Sequence, residues 1–296
     1  MLYVIDQPLT CLRVQGKKSA TFLQGLVTTD VQRVNKLQSA PTFFCQHQGK
    51  AMTYGYVSRF ANNDYYLHVA TDLAPALIAH FAPYAALDRI DLSTANDHIS
   101  VGLVSDKPLL HLEHADQATH INDRISLFCI AHAPFIYLVH GASDHIDAWL
   151  MQQNAHPVIH DIWQAACIQA GQPLITTHTS ATFTPNVLQP LPSNAVSLKK
   201  GCYLGQEIIA RSHHLGQLKK TLSAFYYHDF QGEPPKSGSV LHAAQQQTTT
   251  HATVLAAAMY ESTLWLQAVV PLNDHYQPAL HTEHGPCLLL PASEKD

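Results

Sequence analysis

Met52-Thr53-Tyr54-Gly55-Tyr56-Val57-Ser58-Arg59-Phe60 and Tyr65-Tyr66-Leu67-His68-Val69-Ala70 are two aromatic, β-branched runs separated by Asn62-Asn63-Asp64. Such residues suit a pleated, half-buried surface, and the polar triplet between them is a hairpin signal. Asp72 then stands where it can cap a helix whose apolar face carries Leu77, Ile78 and Phe81. A strand around Arg89 to Leu92 follows, so the stretch predicts a ββαβ unit of the α+β class.

Upstream, Cys11 to Val14 alternates as a short strand that Gly16 breaks, and Ser19 to Leu26 sets Phe22, Leu23 and Leu26 on one helical face. Downstream, Ile125 to Ile130 and Phe135 to His140 read as a second hairpin. Ser143 can cap a helix through Trp149 and Leu150, and Asp161 to Ala170 reads as a helix ended by Gly171. After Arg211 the texture changes. Thr221 to His228, Ser239 to His242, Thr253 to Tyr260 and Thr263 to Val270 are short strands bounded by Gln-Gly, Pro-Pro and Asn-Asp turns, which predicts a small all-β, barrel-like domain. The expected division is an α+β region over 1–212 and a β-barrel over 213–296.

The chain has 296 residues, 46% of them hydrophobic and 13% charged, which fits a globular protein with sizeable cores and not a disordered one. A net charge of −5 argues against bulk electrostatic binding to nucleic acid, although a local basic site can still touch RNA or a small anion. The start lacks the basic and apolar run of a signal peptide, and no apolar run reaches membrane-spanning length, so a cytoplasmic protein is expected. A monomer is expected too, since no apolar stripe demands a partner. Six cysteines (Cys11, Cys45, Cys129, Cys167, Cys202 and Cys287) are scattered without a C-x-x-C, which predicts reduced thiols. The 21 histidines mostly stand singly, and spacing predicts no metal centre. The best grouping, His281-x-x-His284-x-x-Cys287, lies in a Gly-Pro loop without a second ligand pair.

Chemistry concentrates in Lys199-Lys200-Gly201-Cys202-Tyr203-Leu204-Gly205-Gln206-Glu207, running on through Ile208-Ile209-Ala210-Arg211. One thiol stands between glycines, and Lys199, Lys200, Arg211, Lys219 and Lys220 are expected to crowd around it. Positive charge, and the amides of a helix beginning near Gln206, favour thiolate over thiol. Glycines 201 and 205 would let the backbone turn tightly and leave the sulfur approachable. Glu207 and Arg211 have the spacing of a helical ion pair. The plainer reading is a tight turn whose cysteine only fills space.

This segment, Lys200-Gly201-Cys202-Tyr203-x-Gly205-Gln206-Glu207, resembles the signature of the YgfZ family, folate-binding relatives of the glycine-cleavage T-protein. Phe22-Leu23-Gln24-Gly25-Leu26-Val27-Thr28-Thr29-Asp30-Val31 resembles that family's first helix and turn. Gly49-Lys50 falls before its first long hairpin, and Trp163 with Ile168-Gln169-Ala170-Gly171-Gln172-Pro173 resembles its W-x4-I-x-A-G-x-P element. Phe183-Thr184-Pro185-Asn186 resembles its F-x-P-Q. Five pieces in register over about residues 10 to 220 are far more specific than one.

The resemblance implies an aminomethyltransferase-like, three-part α+β ring, with two interleaved α+β subdomains and a C-terminal small β-barrel. It implies tetrahydrofolate or a derivative in the central opening, and a role in maintaining iron–sulfur enzymes, including those that methylthiolate tRNA. Partners would be folate and iron–sulfur client or assembly proteins. Cys202 would be the functional thiol, as a transient ligand or sulfur acceptor, with Trp163 stacking on the pterin. Lys200, Tyr203, Gln206, Arg211 and Asn186 complete the implied folate site, with Lys200, Arg211 and Lys219 meeting the glutamate tail or an RNA phosphate. A second tryptophan of the family aligns here with Leu9, and Asn186 shortens its glutamine by one methylene.

Two enzymes and a scaffold compete with this reading. In a folate-dependent aminomethyltransferase of the T-protein type, the paired aspartates of the hairpin strand would align with Thr53-Tyr54, which carry no carboxylate. In a thiol enzyme, Cys202 would be nucleophile and His213 or His214 the base, with no orienting carboxylate beyond Glu207. In an interaction scaffold Cys202 would be structural.

Overall fold

The computed structural model describes residues 2–5, 8–35, 38–112, 118–122, 124–153, 155–189, 191, 193–243, 250–272, 280–282 and 285–289. The polar Gln245–Thr250 tract, whose sequence reads simply as a solvated loop, and the His281/His284/Cys287 group lie in part outside the described residues. The order is β1 (Leu2–Ile5), β2 (Thr10–Gln15), α1 (Ser19–Leu26), β3 (Gln38–Cys45), β4 (Ala51–Ala61), β5 (Asp64–Val69), α2 (Ala74–Asp88), β6 (Asp91–Thr94) and β7 (His98–Ser105). Then come β8 (Ala118–Asn122), β9 (Ile125–His132), β10 (Phe135–Ala142), α3 (Ser143–Leu150), β11 (Ala155–Pro157), α4 (His160–Gln169), α5 (Pro185–Leu188) and α6 (Gln206–Leu215). The remaining strands are β12 (Lys220–Tyr227), β13 (Val240–Ala243), β14 (Thr250–Tyr260), β15 (Thr263–Pro271), β16 (Leu280–Thr282) and β17 (Gly285–Leu289).

These strands form three sheets. One has the order β3-β4-β5-β2-β6 and another β11-β1-β7-β10-β9-β8, so the chain begins in the second, builds the first, and returns. The two are interleaved in sequence. In the third, β17 pairs back on β12 at Phe225 and Tyr226, and the order β12-β15-β14-β13-β16-β17 returns to its start. Almost all pairings are antiparallel; β1 with β11 is parallel.

The period of two along the strands builds the layers. On one face of the first sheet Leu12, Val14, Val57, Leu67 and Phe44 pack under α1 and α2. Tyr54, Tyr56 and Phe43 on its other face meet Phe128, Ile136 and Leu138 of the second sheet. The far face of that sheet, with Leu103, Leu127 and Tyr137, is covered by α3 through Ile146. Because β4 is covered on both faces, its first eight residues are all buried, aromatic rings included. α4 packs against β14 and β15, with Ala165 and Ile168 against Ala258, tying the third sheet to the rest. Among the described residues no helix is long and apolar enough to cross a membrane.

Both hairpins form at the expected places, with Asn63 at φ 59 in the first turn. Two caps differ. α2 has Leu73 at its N-cap, and the Asp72 carboxylate accepts a hydrogen bond from Thr177 N–H instead. Ser143 begins α3 without capping it. Seven strands carry no sequence expectation: the short β1, β8, β11, β16 and β17, together with β3, where Pro41 obscures an edge strand, and β7, where Gly102 interrupts the apolar pattern.

Phe81 holds α2 in place; it is fully buried, with its ring 6.2 Å from Phe22 and 6.1 Å from Phe44. Phe81→Ala is expected to destabilise the fold by about 3–5 kcal/mol. Urea unfolding should show a lower midpoint at an unchanged slope.

Candidate functional site

Trp163 lies on α4, 3% exposed, and forms part of the wall of a cavity of about 370 Å³. Its ring fits there because β7 carries no side chain at Gly102: a Cβ at that position would sit 2.6 Å from the indole. Tyr54 and Tyr56 of β4 form the aromatic wall, and Pro8 and Leu9 form another side. The position where the family carries a second tryptophan thus faces the same space as Trp163. Tyr54 donates to Gln172 Oε1 at 2.9 Å. Gln267 of β15, fully buried, donates to Gln172 O at 2.7 Å and accepts from Leu174 N–H at 3.2 Å. The third sheet thereby fixes the cavity's 172–174 edge.

Asp72 is the carboxylate of this cavity, and no lysine or arginine is among its described lining residues. The residues suit a planar, weakly polar ring system with amino and amide edges. Aromatic faces stack on it, and a carboxylate accepts from amino-pyrimidine N–H groups. An anionic tail would have to leave the cavity to find a cation. The volume lies within the roughly 300–1,000 Å³ typical of small-molecule sites.

Cys202 stands elsewhere. It is exposed, and lies in a separate open depression with His47, Gly25, Gln206, Glu207 and Ile208. The other described cysteines (Cys11, Cys45, Cys129 and Cys167) are buried, and burial pushes the thiols of Cys11, Cys45 and Cys167 well up. Tyr203 lines the Cys202 depression, with its ring in the same apolar core as Trp163 and its hydroxyl buried without a partner among the described residues. Cys202 and Trp163 therefore do not face a common cleft.

Of the residues expected to meet folate, Trp163 alone lines the cavity. Lys200 turns inward. Its Nζ donates to Val27 O at 2.8 Å and Thr29 O at 2.7 Å and sits 5.0 Å from the centre of the Tyr203 ring. Burial pulls this ammonium down to about 8, with Asp30 opposing the shift. Gln206 folds back, accepting from Tyr203 N–H at 3.3 Å. Asn186, on α5, is buried facing α6, donating to Ser212 Oγ and accepting from Thr184 Oγ1, each at 2.5 Å. Arg211 is exposed on α6, and no ion pair joins it to Glu207 among those formed by the described residues.

The expected crowd of cations also disperses. Lys219 and Lys220 line a different groove with Lys50, while Lys200 is held by carbonyls. His213 and His214 meet edge to face, their ring centroids 4.9 Å apart, and do not line the Cys202 depression. The histidine that does is His47, whose Nε2 is 3.0 Å from the Tyr84 hydroxyl. No motif links residues 47 and 202, so sequence order alone did not expose this neighbour. Asp72 was equally hidden, because before a helix it reads as a cap.

The two glycines of the motif have unequal roles. Gly205 has φ +80, and a Cβ there would lie 2.7 Å from both Gln46 O and Gly49 Cα. Gly49 itself has φ +70. Gly201 has no such constraint: an added Cβ meets nothing within 4 Å. Gly205→Ala is expected to destabilise by more than about 2 kcal/mol, from a left-handed backbone and a backbone clash together. Gly201→Ala should stay within about 0.5 kcal/mol, as thermal or urea unfolding of both will show.

With this geometry in place, comparison with known proteins adds an ancestry. No family model matches the chain. It is 26% identical over 273 residues to the tRNA-modifying protein YgfZ of Enterobacter sp. strain 638, covering 88% of this chain and 82% of that protein. It is 23% identical over 278 residues to the tRNA-modifying protein YgfZ of Hamiltonella defensa, covering 90% and 81%. An uncharacterized protein of Haemophilus influenzae is 25% identical over 264 residues, 88% of this chain and 85% of that one. The crystal structure of the glycine cleavage system aminomethyltransferase T from Bartonella henselae matches with a TM-score of 0.72 at 13% identity, over 97% of this chain and 84% of that one. The chain is thus a distant homologue of the YgfZ proteins over most of its length, with an aminomethyltransferase-like fold.

Proposed function

We propose that this chain is a folate-binding accessory protein for iron–sulfur cluster assembly or repair, supporting iron–sulfur enzymes that include those methylthiolating tRNA. The observation that carries it is the cavity walled by Trp163, Tyr54 and Tyr56 inside an aminomethyltransferase-like fold, in a homologue of tRNA-modifying proteins. Tetrahydrofolate or a derivative would place its pterin against Trp163, with Asp72 and Gln172 at its polar edge and its glutamate tail directed outward. The protein's own residues bind and orient the ring; folate supplies one-carbon chemistry when bound.

Cys202 is the second working part. It is the exposed thiol among the described cysteines, on a loop fixed at Lys200 and Gly205, and in reach of iron–sulfur clients, not of the bound pterin. Folate and thiol then act on one partner from two places, or folate sets the fold that presents the thiol. The test is complementation of cells lacking the protein, with methylthiolated adenosine in tRNA measured by mass spectrometry. Wild type should restore the modification and Cys202→Ala should not; restoration by both variants would refute the thiol's role. Separately, Trp163→Phe should weaken tetrahydrofolate binding about tenfold in calorimetry, equivalent to about 1.4 kcal/mol. Unchanged affinity would move folate out of this cavity.

Asp72 favours a second reading, a folate-dependent aminomethyltransferase, because it supplies a cavity carboxylate that Thr53 and Tyr54 cannot. On that reading the protein converts tetrahydrofolate to its methylene form, taking the carbon from an aminomethyl donor whose nitrogen leaves as ammonia, and Asp72→Asn lowers turnover at least a hundredfold. Absence of turnover by the wild-type chain excludes it.

A further inference from the structure

Away from both places, three strands bring a sulfur and two imidazoles together in the layer between the first two sheets. Cys11 of β2 and His68 of β5 are directly paired in the strand register, and His140 of β10 reaches them from the facing sheet. Their donor atoms all lie within 4.8 Å of one another, and all three residues are buried. Cys11 Sγ is 3.7 Å from His140 Nε2. For zinc bonds of about 2.3 Å to sulfur and about 2.0 Å to nitrogen, the tetrahedral S–N edge is about 3.5 Å. We propose that Cys11, His68 and His140 hold a structural zinc ion that fastens the two sheets together.

The donor set is one thiolate and two imidazoles, with no carboxylate among them, which selects a borderline ion and not calcium or magnesium. His68 is already aimed by a serine on each ring nitrogen, Ser58 Oγ at 2.7 Å from Nε2 and Ser100 Oγ at 2.6 Å from Nδ1. A metal at Nδ1 keeps the Ser58 contact as the outer bond that orients the ring. It also frees the Ser100 hydroxyl, 2.6 Å from that nitrogen, for the fourth position. The thiol proton leaves to solvent as the ion binds. One positive charge then remains in the site. The site is closed, so the ion enters as the sheets come together during folding. Cys11, His68 and His140 are 57 and 72 residues apart, which no ligand-spacing motif covers.

The experiment uses the untagged full chain, expressed in zinc-supplemented medium and passed over chelating resin, with metal measured by plasma mass spectrometry. A parallel preparation carries cobalt as the spectroscopic probe. One metal per chain is expected, with a sulfur-to-cobalt charge-transfer band that persists in Cys202→Ser and disappears in Cys11→Ser. His140→Gln should lower metal content at least tenfold. Metal-free wild type, or a band lost with Cys202→Ser and kept with Cys11→Ser, overturns the proposal. Should Cys11→Ser fail to fold, wild type and Cys202→Ser decide between them: a stoichiometric sulfur-bound cobalt that survives loss of the exposed thiol supports the buried site, and its absence refutes it.

Discussion

The backbone of Gly205 touches the backbone of Gly49, and much of the molecule is arranged around that contact. Side chains on either residue would push α6 off the β3–β4 turn, because the gap admits no Cβ. The chain on both sides is fastened to one stretch of the first α+β unit. Leu204 N–H donates to Gly25 O, Lys200 caps the carbonyls of Val27 and Thr29, and Ser197 N–H donates to Thr28 O. Thr28 Oγ1 returns the link to Ala195 O at 2.6 Å. Buried polar groups need partners, and here each motif satisfies the other. The Phe22–Val31 stretch and the cysteine motif are two sides of one interface.

That interface also explains why charge was a poor guide to the cysteine loop. Lys200 looks like a free cation in sequence, but an ammonium offered two carbonyls in a half-buried pocket is a tie. Lys219 and Lys220 lie close to Cys202 in number, yet α6 intervenes and carries them to another groove. Linear proximity of charges predicts a local field only where the backbone stays local. Here a ten-residue helix carries the chain away.

The fold was legible where strand-forming runs meet turn signals. Aromatic and β-branched residues marked β4 and β5, a hairpin pattern marked β9 and β10, and Ser19–Leu26 is a helix over its expected span. Two of the strands outside those signals have identifiable reasons. Pro41 is tolerated because β3 is an edge, and Gly102 interrupts β7 to make room for an indole. The site was half legible. Trp163 could be assigned to a cavity through the motif it belongs to, but Asp72, Gln172 and Gln267 meet only through tertiary contact. Cys11, His68 and His140 depend on strand register and sheet pairing, neither of which one sequence displays.

The separation of cavity and thiol constrains what the molecule can do. Chemistry that joined a molecule in the cavity to the sulfur would need both within a bond's reach, yet Trp163 and Cys202 line separate depressions, and Tyr203, Cys45 and Phe43 belong to the same core as Trp163. Tyr203 belongs to that core and to the thiol's loop at once: its ring lies under Lys200 and its backbone neighbours Cys202. Trp163 and Tyr203 thus share one packed cluster, which close packing keeps from deforming at one end alone.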